Sequence, residues 1–374
     1  MSGRRKNVIS KASPHTIKKF ELIEEYIKSW AQKLMLTDSC NGLIFIDCMC
    51  NCGVYTNDAG KIVKGTALRV SEALLNVARL YPNKTVQIYL NDKDKNRVDE
   101  LEKHLPQNER NFQIVTSRLD AHELLRTIGP QLYQAGHLHY FLFYDPYDAD
   151  IDWEALLPFF RNWGEVVINH MVSDPVRAIT SAKKKTTKEK YENTYLEDFE
   201  KLVPFGSDKA AYEARVEEII NSLKGTRRYF VSAFPFYNTQ NSHMYNLIHC
   251  TSNKEGFKLY KKSAWKVFGN QSSTKNSPES EQLSFDSYGI ITNETDESCF
   301  HVSDISRYLQ QNFKGRKQVQ LTEMWELLDD HPIFPSEGYR NEIKKDLSER
   351  FGAKIEQIVS DANGKKETVI SFSL

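Results

Sequence analysis

The chain has 374 residues, of which 40% are hydrophobic and 27% are charged, a composition typical of folded globular proteins rather than disordered or fibrous ones. Its 50 Lys and Arg residues balance 50 Asp and Glu residues, so net charge indicates neither a nucleic-acid nor a membrane partner, and any polyanion site must be a local patch. Because no apolar run approaches the roughly 18 to 20 residues of a membrane helix and no signal peptide is evident, we expect a cytoplasmic protein that does not contact a membrane.

The predicted elements begin with a basic arm. The first twenty residues contain six Lys or Arg side chains, Lys19 among them, and no acidic side chain. Apolar side chains then recur at helical spacing from Ile17 to Leu34. The pattern predicts an amphipathic helix that begins after Pro14.

Strands and helices alternate in the next part of the chain. Each apolar run of strand type is followed by a helical pattern, which predicts βαβ units and a parallel sheet covered on both faces. The strands predicted in this way are 42–47, 85–92, 112–120, 139–147 and 165–170. A charged helical insertion follows at about 175–225. Strands at 227–236 and 244–252 then predict a terminal antiparallel hairpin, which brings the sheet to seven strands.

A second domain is predicted after a polar connector at 270–297. The expected domains are residues 1–294, which include the insertion, and residues 295–374. Helices at 302–313, 321–328 and 337–351 precede two strands, 354–360 and 367–372, that flank an Asn363-Gly364 turn. Three helices and a two-stranded wing indicate a winged helix-turn-helix.

Four acidic residues end the first four predicted strands: Asp47, Asp92, Asp120 and Asp145. In an open α/β sheet the ligand lies beyond the carboxyl ends of the strands, so these side chains are expected at one crevice. Asp92 is placed to accept hydrogen bonds from ribose hydroxyls, or to cap the next helix. Asp120 is placed to contact a purine amino group, or again to act as an N-cap.

The loop after the first strand, Asp47 to Gly53, contains one glycine where nucleotide-binding loops usually have two or three. Asn51 tolerates a left-handed backbone, and the neighbouring Cys50 is small, so a ligand could still approach closely. The C-x-C-x-C spacing in this loop suits no common zinc geometry, so no metal is predicted. Gly65 and Thr66 open the next helix, where backbone N–H groups favour an anionic group, or simply begin the helix.

Asp145, Pro146 and Tyr147 form the tripeptide most suggestive of chemistry. A rigidly held acid can accept hydrogen bonds from a substrate amino group, while the adjacent aromatic ring stacks on a flat base. The alternative is a strand end with a turn proline and a partly buried tyrosine. Asp148 and Asp152, in the same loop, could bind a cation or cap the helix that begins at Trp153.

The chain resembles the three-Cys-motif partner (TcmP) family over about residues 14–270. The resemblance rests on the strand-end acids and on these segments in order: GLIFID, Gly65-Thr66-Ala67, QIYLND, FLFYDPYDADIDW and YNLIHCTS. The resemblance implies a class I S-adenosylmethionine-dependent methyltransferase fold, which is a Rossmann-like seven-stranded α/β sheet, with S-adenosylmethionine as cofactor. Asp47, Met49, Cys50, Asn51 and Gly53 fall on the positions of the family's first loop, with Asn51 in place of a glycine. The family's partner is a radical-SAM-like protein, and the cysteines in the family's name belong to that partner.

Several functions remain open from the sequence. The first is methyl transfer to DNA or RNA. The basic residues that would bind the nucleic acid are Lys183, Lys184, Lys185, Arg340, Lys344, Lys345, Lys365 and Lys366. Residues 296–374 contain eleven basic and fourteen acidic side chains, a net of 11 − 14 = −3, so a winged helix used for protein contact is an equal alternative. The second is a catalytically degraded methyltransferase-like module that binds a partner protein. A nuclease or NTPase has less support, because no Walker A sequence is present.

Overall fold

The computed structural model describes residues 8–134, 138–161, 164–276, 298–359 and 366–373. By its internal contacts the chain divides into two compact units, Met1–Phe257 and Lys258–Leu374. The predicted domain boundary at 294/295 lies outside the described residues. None of the helices in the described ranges is both long and apolar enough to cross a bilayer.

The described residues of the first unit form ten strands. In chain order they are β1 (Ser10–Lys11), β2 (Gly42–Asp47), β3 (Val54–Thr56), β4 (Ile62–Lys64), β5 (Thr85–Asn91), β6 (Phe112–Ser117), β7 (Leu138–Tyr144), β8 (Glu165–His170), β9 (Phe230–Tyr237) and β10 (His243–Thr251). The helices of this part of the chain are α1 (Pro14–Met35), α2 (Thr66–Leu80), α3 (Lys95–Glu102), α4 (Ala121–Gln134), α5 (Trp153–Arg161), α6 (Ser173–Ala178), α7 (Lys185–Tyr195), α8 (Phe199–Leu202), α9 (Lys209–Leu223) and α10 (Lys254–Phe268). Helix α10 begins in this unit and ends in the second one.

Seven of the strands form one sheet in the order β6-β5-β2-β7-β8-β10-β9. The first five run parallel, and β10 pairs antiparallel with both β8 and β9. The chain leaves β2 in one direction to build β5 and β6, and returns beside β2 as β7. This arrangement confirms the predicted Rossmann-like α/β fold, and it places the topological switch point between β2 and β7.

Burial explains why these segments form central strands. Every residue of β2 and of β8 is buried, as expected where helices cover both faces of a parallel sheet. The predicted insertion is helical and belongs to the core, because one hydrophobic cluster joins α4 and α5 to α7 and α9. Members of that cluster include Leu125, Leu156, Tyr195, Tyr212 and Ile220.

A second, three-stranded sheet was not predicted. In it β1 runs parallel to β3, and β3 pairs antiparallel with β4. Between β3 and β4 the side chain of Asn57 accepts hydrogen bonds from the N–H groups of Ala59 and Lys61, and Gly60 takes a φ of 72°. The loop after β2 is therefore longer and more ordered than a simple strand-to-helix turn.

The second unit contains, beyond the end of α10, α11 (Val302–Phe313), β11 (Val319–Gln320), α12 (Leu321–Asp330), α13 (Arg340–Phe351), β12 (Lys354–Val359) and β13 (Lys366–Ser371). The strands pair antiparallel in the order β11-β13-β12. Three helices and a hairpin thus occur where they were predicted, and their naming as a winged helix-turn-helix stays a prediction. Lys365 and the Asn363-Gly364 turn lie outside the described residues.

Candidate functional site

A cleft of about 260 Å³ opens at the carboxyl ends of β2, β5, β6 and β7. Four loops, one from each strand, supply its lining, so it lies at the switch point of the sheet. The lining residues are Cys48, Met49, Asp92, Lys93, Asp120, Ala121, His122, Pro146, Tyr147, Asp148 and Asp150. The structure therefore brings together four of the sequence-predicted site residues: Asp92, Asp120, Pro146 and Tyr147.

Asp92 is buried at the cleft with only 2% of its surface exposed. Its Oδ1 accepts a hydrogen bond from the Asp94 N–H at 2.9 Å, and its Oδ2 accepts one from the Asn51 N–H at 3.2 Å. Asp94 caps α3 by accepting from the Asn96 N–H. Capping is thus the role of Asp94, and Asp92 instead presents a carboxylate where two loops meet.

Asn91 holds the loops around the cleft in place and was missed from the sequence. It is fully buried, and its Nδ2 donates to the carbonyl oxygens of Cys48 and Leu119. Its Oδ1 accepts from the Ser117 hydroxyl and the Leu119 N–H. This amide links the ends of β2, β5 and β6. The signal in the sequence was an amide directly before the strand-end acid.

Asp120 is the N-cap of the helix that follows it, α4. Its Oδ1 accepts a hydrogen bond from the His122 N–H at 3.0 Å, which is N-cap geometry for α4. Its side chain is still 57% exposed and lines the cleft beside Ala121. The helix-capping alternative is therefore realised, and more than half of the side-chain surface remains exposed.

The loop after β2 keeps a left-handed backbone at position 51, although an asparagine occupies this position. Asn51 stands where the resembling family has a glycine, and it adopts φ = 57°, the left-handed region that asparagine tolerates best after glycine. Its own Oδ1 accepts from the Cys52 N–H at 2.6 Å. The neighbouring Cys50 N–H donates to the Asn91 carbonyl at 2.8 Å. The loop is held without a second glycine.

Gly53 and Gly65 are required by packing. Gly53 has φ = 72°, and a Cβ there would approach Leu101 Cδ1 to 2.4 Å. A Cβ on Gly65 would approach the Tyr55 ring to 2.4 Å, and the Gly65 N–H donates to the Gly53 carbonyl. Protein side chains fill the space beside both glycines. Neither glycine lines the cleft, and the same holds for Asp47, Cys50, Asn51, Thr66 and Asp145.

Asp145 lies beside the cleft with both carboxylate oxygens engaged. Its Oδ2 is 2.6 Å from Lys19 Nζ, and its Oδ1 accepts from Asn169 Nδ2 at 2.5 Å. Lys19 is only 7% exposed and also lies over the Tyr245 ring. The expectation that Lys19 belongs to a basic arm is wrong, because its ammonium group is a buried counterion. Neither Lys19 nor Asn169 was identified from the sequence.

Asp47 lies at the end of β2, fully buried. Burial first, and then the negative charge of Asp145, raise the pKa of the Asp47 carboxyl to about 8. Its Oδ1 accepts a hydrogen bond from the Met49 N–H. At neutral pH this carboxyl is therefore mostly protonated, and it supports the loop from within.

The three cysteines of the first loop are buried thiols with separate partners. Cys48 Sγ donates to the Phe143 carbonyl and Cys52 Sγ to the Val54 carbonyl, while Cys50 Sγ faces the Asn51 carbonyl. Burial raises the pKa of each thiol above its ordinary value. Within the described residues, no group of three or more His, Cys, Asp or Glu side chains is arranged to hold a metal ion.

The insertion helix α7 fixes the loop that carries Asp145 to Asp152. Thr194 Oγ1 donates to the Ala149 carbonyl at 2.9 Å and accepts from the Ile151 N–H at 3.2 Å. Lys190 forms an ion pair with Asp148 at 3.0 Å. Asp152 caps α5 through a bond from the Ala155 N–H, so of its two predicted roles the structure shows the capping one.

The predicted basic residues lie on accessible surfaces of their own units. In the first unit Lys183, Lys184 and Lys185 are exposed at the start of α7, and Lys185 pairs with Glu189 at 3.5 Å. In the second unit Arg340, Lys345 and Lys366 are exposed and Lys344 is half-buried. The Arg340 guanidinium lies over the Trp325 ring, with 5.3 Å between the guanidinium carbon and the ring centre.

Comparisons with known proteins give distant matches. No family model matches the chain, and no curated protein matches its sequence. Trm1 from Pyrococcus horikoshii, solved with S-adenosyl-L-methionine, aligns with 64% of this chain at 11% identity and a TM-score of 0.35. This chain spans about half of that protein, 55%. Loganic acid methyltransferase with SAH aligns with 68% of this chain and 83% of its own, at 10% identity and a TM-score of 0.30. At these values neither structure assigns an activity to this chain.

Proposed function

We propose that this chain is an S-adenosylmethionine-dependent methyltransferase of the three-Cys-motif partner type that methylates an amino group of a nucleic acid. The observation that carries the proposal is the meeting of Asp92, Asp120, Pro146 and Tyr147 in one cleft at the switch point of a Rossmann-like sheet. Asp145 lies directly beside it.

The cleft residues suit the nucleoside half of S-adenosylmethionine. A buried carboxylate at Asp92 can accept hydrogen bonds from ribose hydroxyls, and Asp120 offers an acceptor for the adenine amino group. Met49 and Ala121 supply apolar lining for a flat base. The cleft lining does not include the residues expected at the methionine half, which are Asp47, Cys50, Asn51, Gly53, Gly65 and Thr66. The cleft lining therefore fits the nucleoside half of the cofactor.

Transfer would depend on positioning more than on acid or base catalysis. When bound, S-adenosylmethionine would supply an electrophilic methyl carbon to a nitrogen lone pair and leave as a neutral thioether, while the methylated nitrogen would release a proton to solvent. Asp145 would accept a hydrogen bond from the target amino group, because a carboxylate oxygen holds more than one lone pair. Tyr147, 55% exposed, would stack on the target base.

Two basic surfaces support a nucleic-acid substrate. Lys183 and Lys184 precede α7 and Lys185 begins it, and all three are exposed. Thr194 of the same helix holds the loop after Asp145, so phosphate contacts at these lysines would lie close in sequence to that support. In the second unit, we infer a winged helix-turn-helix whose α13 and hairpin present Arg340, Lys344, Lys345 and Lys366, with Lys365 in the turn outside the described residues. The radical-SAM-like partner follows only from the family resemblance.

A catalytically degraded binding module is the second candidate. Asp92 already receives the Tyr147 hydroxyl and the Arg97 guanidinium, and both Asp145 oxygens are paired within the chain. Because the acceptors of this site are already bonded to side chains of the same chain, this observation favours a protein that binds a partner rather than a cofactor.

Calorimetric titration with S-adenosylmethionine and S-adenosylhomocysteine separates the two candidates. The methyltransferase proposal predicts micromolar binding that weakens at least tenfold in Asp92→Asn. The matched control is Asp94→Asn, which changes a neighbouring carboxylate that caps α3 and leaves a good N-cap residue in place. Absence of binding by the folded wild type would overturn the proposal and favour the binding module.

A further inference from the structure

The Tyr147 side chain reaches across the cleft, and its hydroxyl donates a hydrogen bond to Asp92 Oδ2 at 3.1 Å. Tyr147 follows β7 and Asp92 follows β5, so this bond joins loops on the two sides of the switch point. Desolvation of the hydroxyl, and then the charge of Asp92, raise the pKa of Tyr147. Its hydroxyl is therefore protonated at neutral pH and acts as a donor.

Arg97 reinforces this contact from α3. Its Nη1 donates to the Tyr147 hydroxyl and lies 3.4 Å from Asp92 Oδ2. The guanidinium carbon is 5.1 Å from the centre of the Tyr147 ring. The arginine therefore holds both the ring and the carboxylate.

The Oδ2 atom of Asp92 has no acceptor position left in this arrangement. Oδ2 receives Asn51 N–H at 3.2 Å in addition to Tyr147 and Arg97, and Oδ1 receives the Asp94 N–H. Each carboxylate oxygen offers about two lone-pair positions, so Oδ2 is filled, whereas Oδ1 keeps one position. The two backbone bonds hold the loops together, so both hydroxyls of a ribose diol can bond to Asp92 only if the side-chain donors withdraw from Oδ2.

Tyr147 is the part of the loop that is free to withdraw. The following residues are held to the insertion, since Ala149 N–H donates to Asp174 and Ile151 N–H to Thr194. The described hydrogen bonds of the Tyr147 side chain go only to Asp92 and Arg97, and more than half of its surface is exposed.

We propose that Tyr147 and Arg97 close the ribose site by competing for Asp92, and that the cofactor opens it by replacing the Tyr147 hydroxyl on Asp92. The released ring then becomes available to stack on a flat substrate base, so cofactor binds before substrate. This inference rests on the proposed function, because it takes Asp92 as the ribose acceptor.

The test is calorimetric titration of S-adenosylhomocysteine into the full chain carrying Tyr147→Phe. Removing the hydroxyl removes the competing hydrogen bond, so the dissociation constant should fall about three- to tenfold relative to the wild type. Tyr81→Phe, at the end of α2, is the matched control and should bind as the wild type does. Thermal melting establishes that each variant is folded.

The two proposals fail in different ways. If the wild type binds and Asp92→Asn does not, but Tyr147→Phe binds equally or more weakly, the closure is wrong and the cofactor site stands. Weaker binding would mean that the hydroxyl contacts the cofactor. If the folded wild type does not bind at all, the proposed function fails and the closure fails with it.

Discussion

Lys19 Nζ lies 2.6 Å from Asp145 Oδ2, although the two residues are 126 positions apart in the chain. The ion pair joins α1 to the loop after β7, and Asn169 from β8 holds the other carboxylate oxygen. The carboxylate proposed to orient the target amino group is therefore itself held by two elements outside its own loop, α1 and β8.

Replacing Lys19 by methionine should destabilise the fold by about 3 kcal/mol. Removing one partner of a buried pair leaves the other charge, here the Asp145 carboxylate, uncompensated. Urea unfolding at neutral pH measures the loss. In the double variant Lys19→Met, Asp145→Asn the uncompensated charge is gone and much of the stability should return. A single-variant loss below about 1 kcal/mol would show that the pair is not effectively buried.

The pH dependence of stability should report the buried Asp47 carboxyl. Its pKa is raised to about 8 in the folded chain, so between about pH 4 and pH 8 the folded state holds a proton that the unfolded state has released. Stability from this group is therefore fully present below pH 4 and declines as pH rises, by up to about 1.4 kcal/mol per pH unit. Unfolding free energies of the wild type minus those of Asp47→Asn should fall across this range. A flat difference would place Asp47 in a solvated site.

The fold could largely be predicted, whereas the support of the site could not. Continuous apolar runs such as Gly42–Asp47 predicted the strands of the sheet because both faces are covered. The pair β3 and β4 was missed because each has three residues, too few to show a period, although the Asn57 and Gly60 turn was visible. The role of Lys19 as the counterion of Asp145 could not be predicted, because the two residues are far apart in the chain. The position of Lys19 in α1 shows no pattern that distinguishes it from any other helical lysine.

Thr194→Val should loosen the loop that carries the candidate catalytic residues. The substitution keeps the size of the side chain but leaves the Ala149 carbonyl and the Ile151 N–H without their buried partner, at a cost of about 2 kcal/mol. Hydrogen–deuterium exchange should rise in peptides that cover residues 145–153. Thr187→Val, nearer the start of α7, is the control. Unchanged exchange in the Thr194 variant would show that other interactions hold the loop.

Charge reversal on α13 tests whether the second unit meets nucleic acid. The double variant Lys344→Glu, Lys345→Glu should weaken binding of a fluorescent DNA or RNA duplex, measured by anisotropy. The salt slope should decrease by about 0.9 for each phosphate that the variant no longer neutralises. Lys28→Glu, Lys33→Glu, at two exposed positions of α1, is the control with the same change in net charge. Equal binding by the double variant would assign this surface to protein contact.

The most direct test of a methyltransferase is transfer of a labelled methyl group from S-adenosylmethionine. The full chain is incubated with labelled cofactor and with DNA and RNA, each single- and double-stranded, and incorporation is compared with that of the folded Asp145→Asn variant. We predict incorporation by the wild type into at least one nucleic acid and a loss of at least 100-fold in the variant, about 3 kcal/mol at the transition state. Wild-type protein that binds S-adenosylhomocysteine but labels none of these substrates, or an Asp145→Asn variant that labels them equally well, would contradict the proposed role of this site.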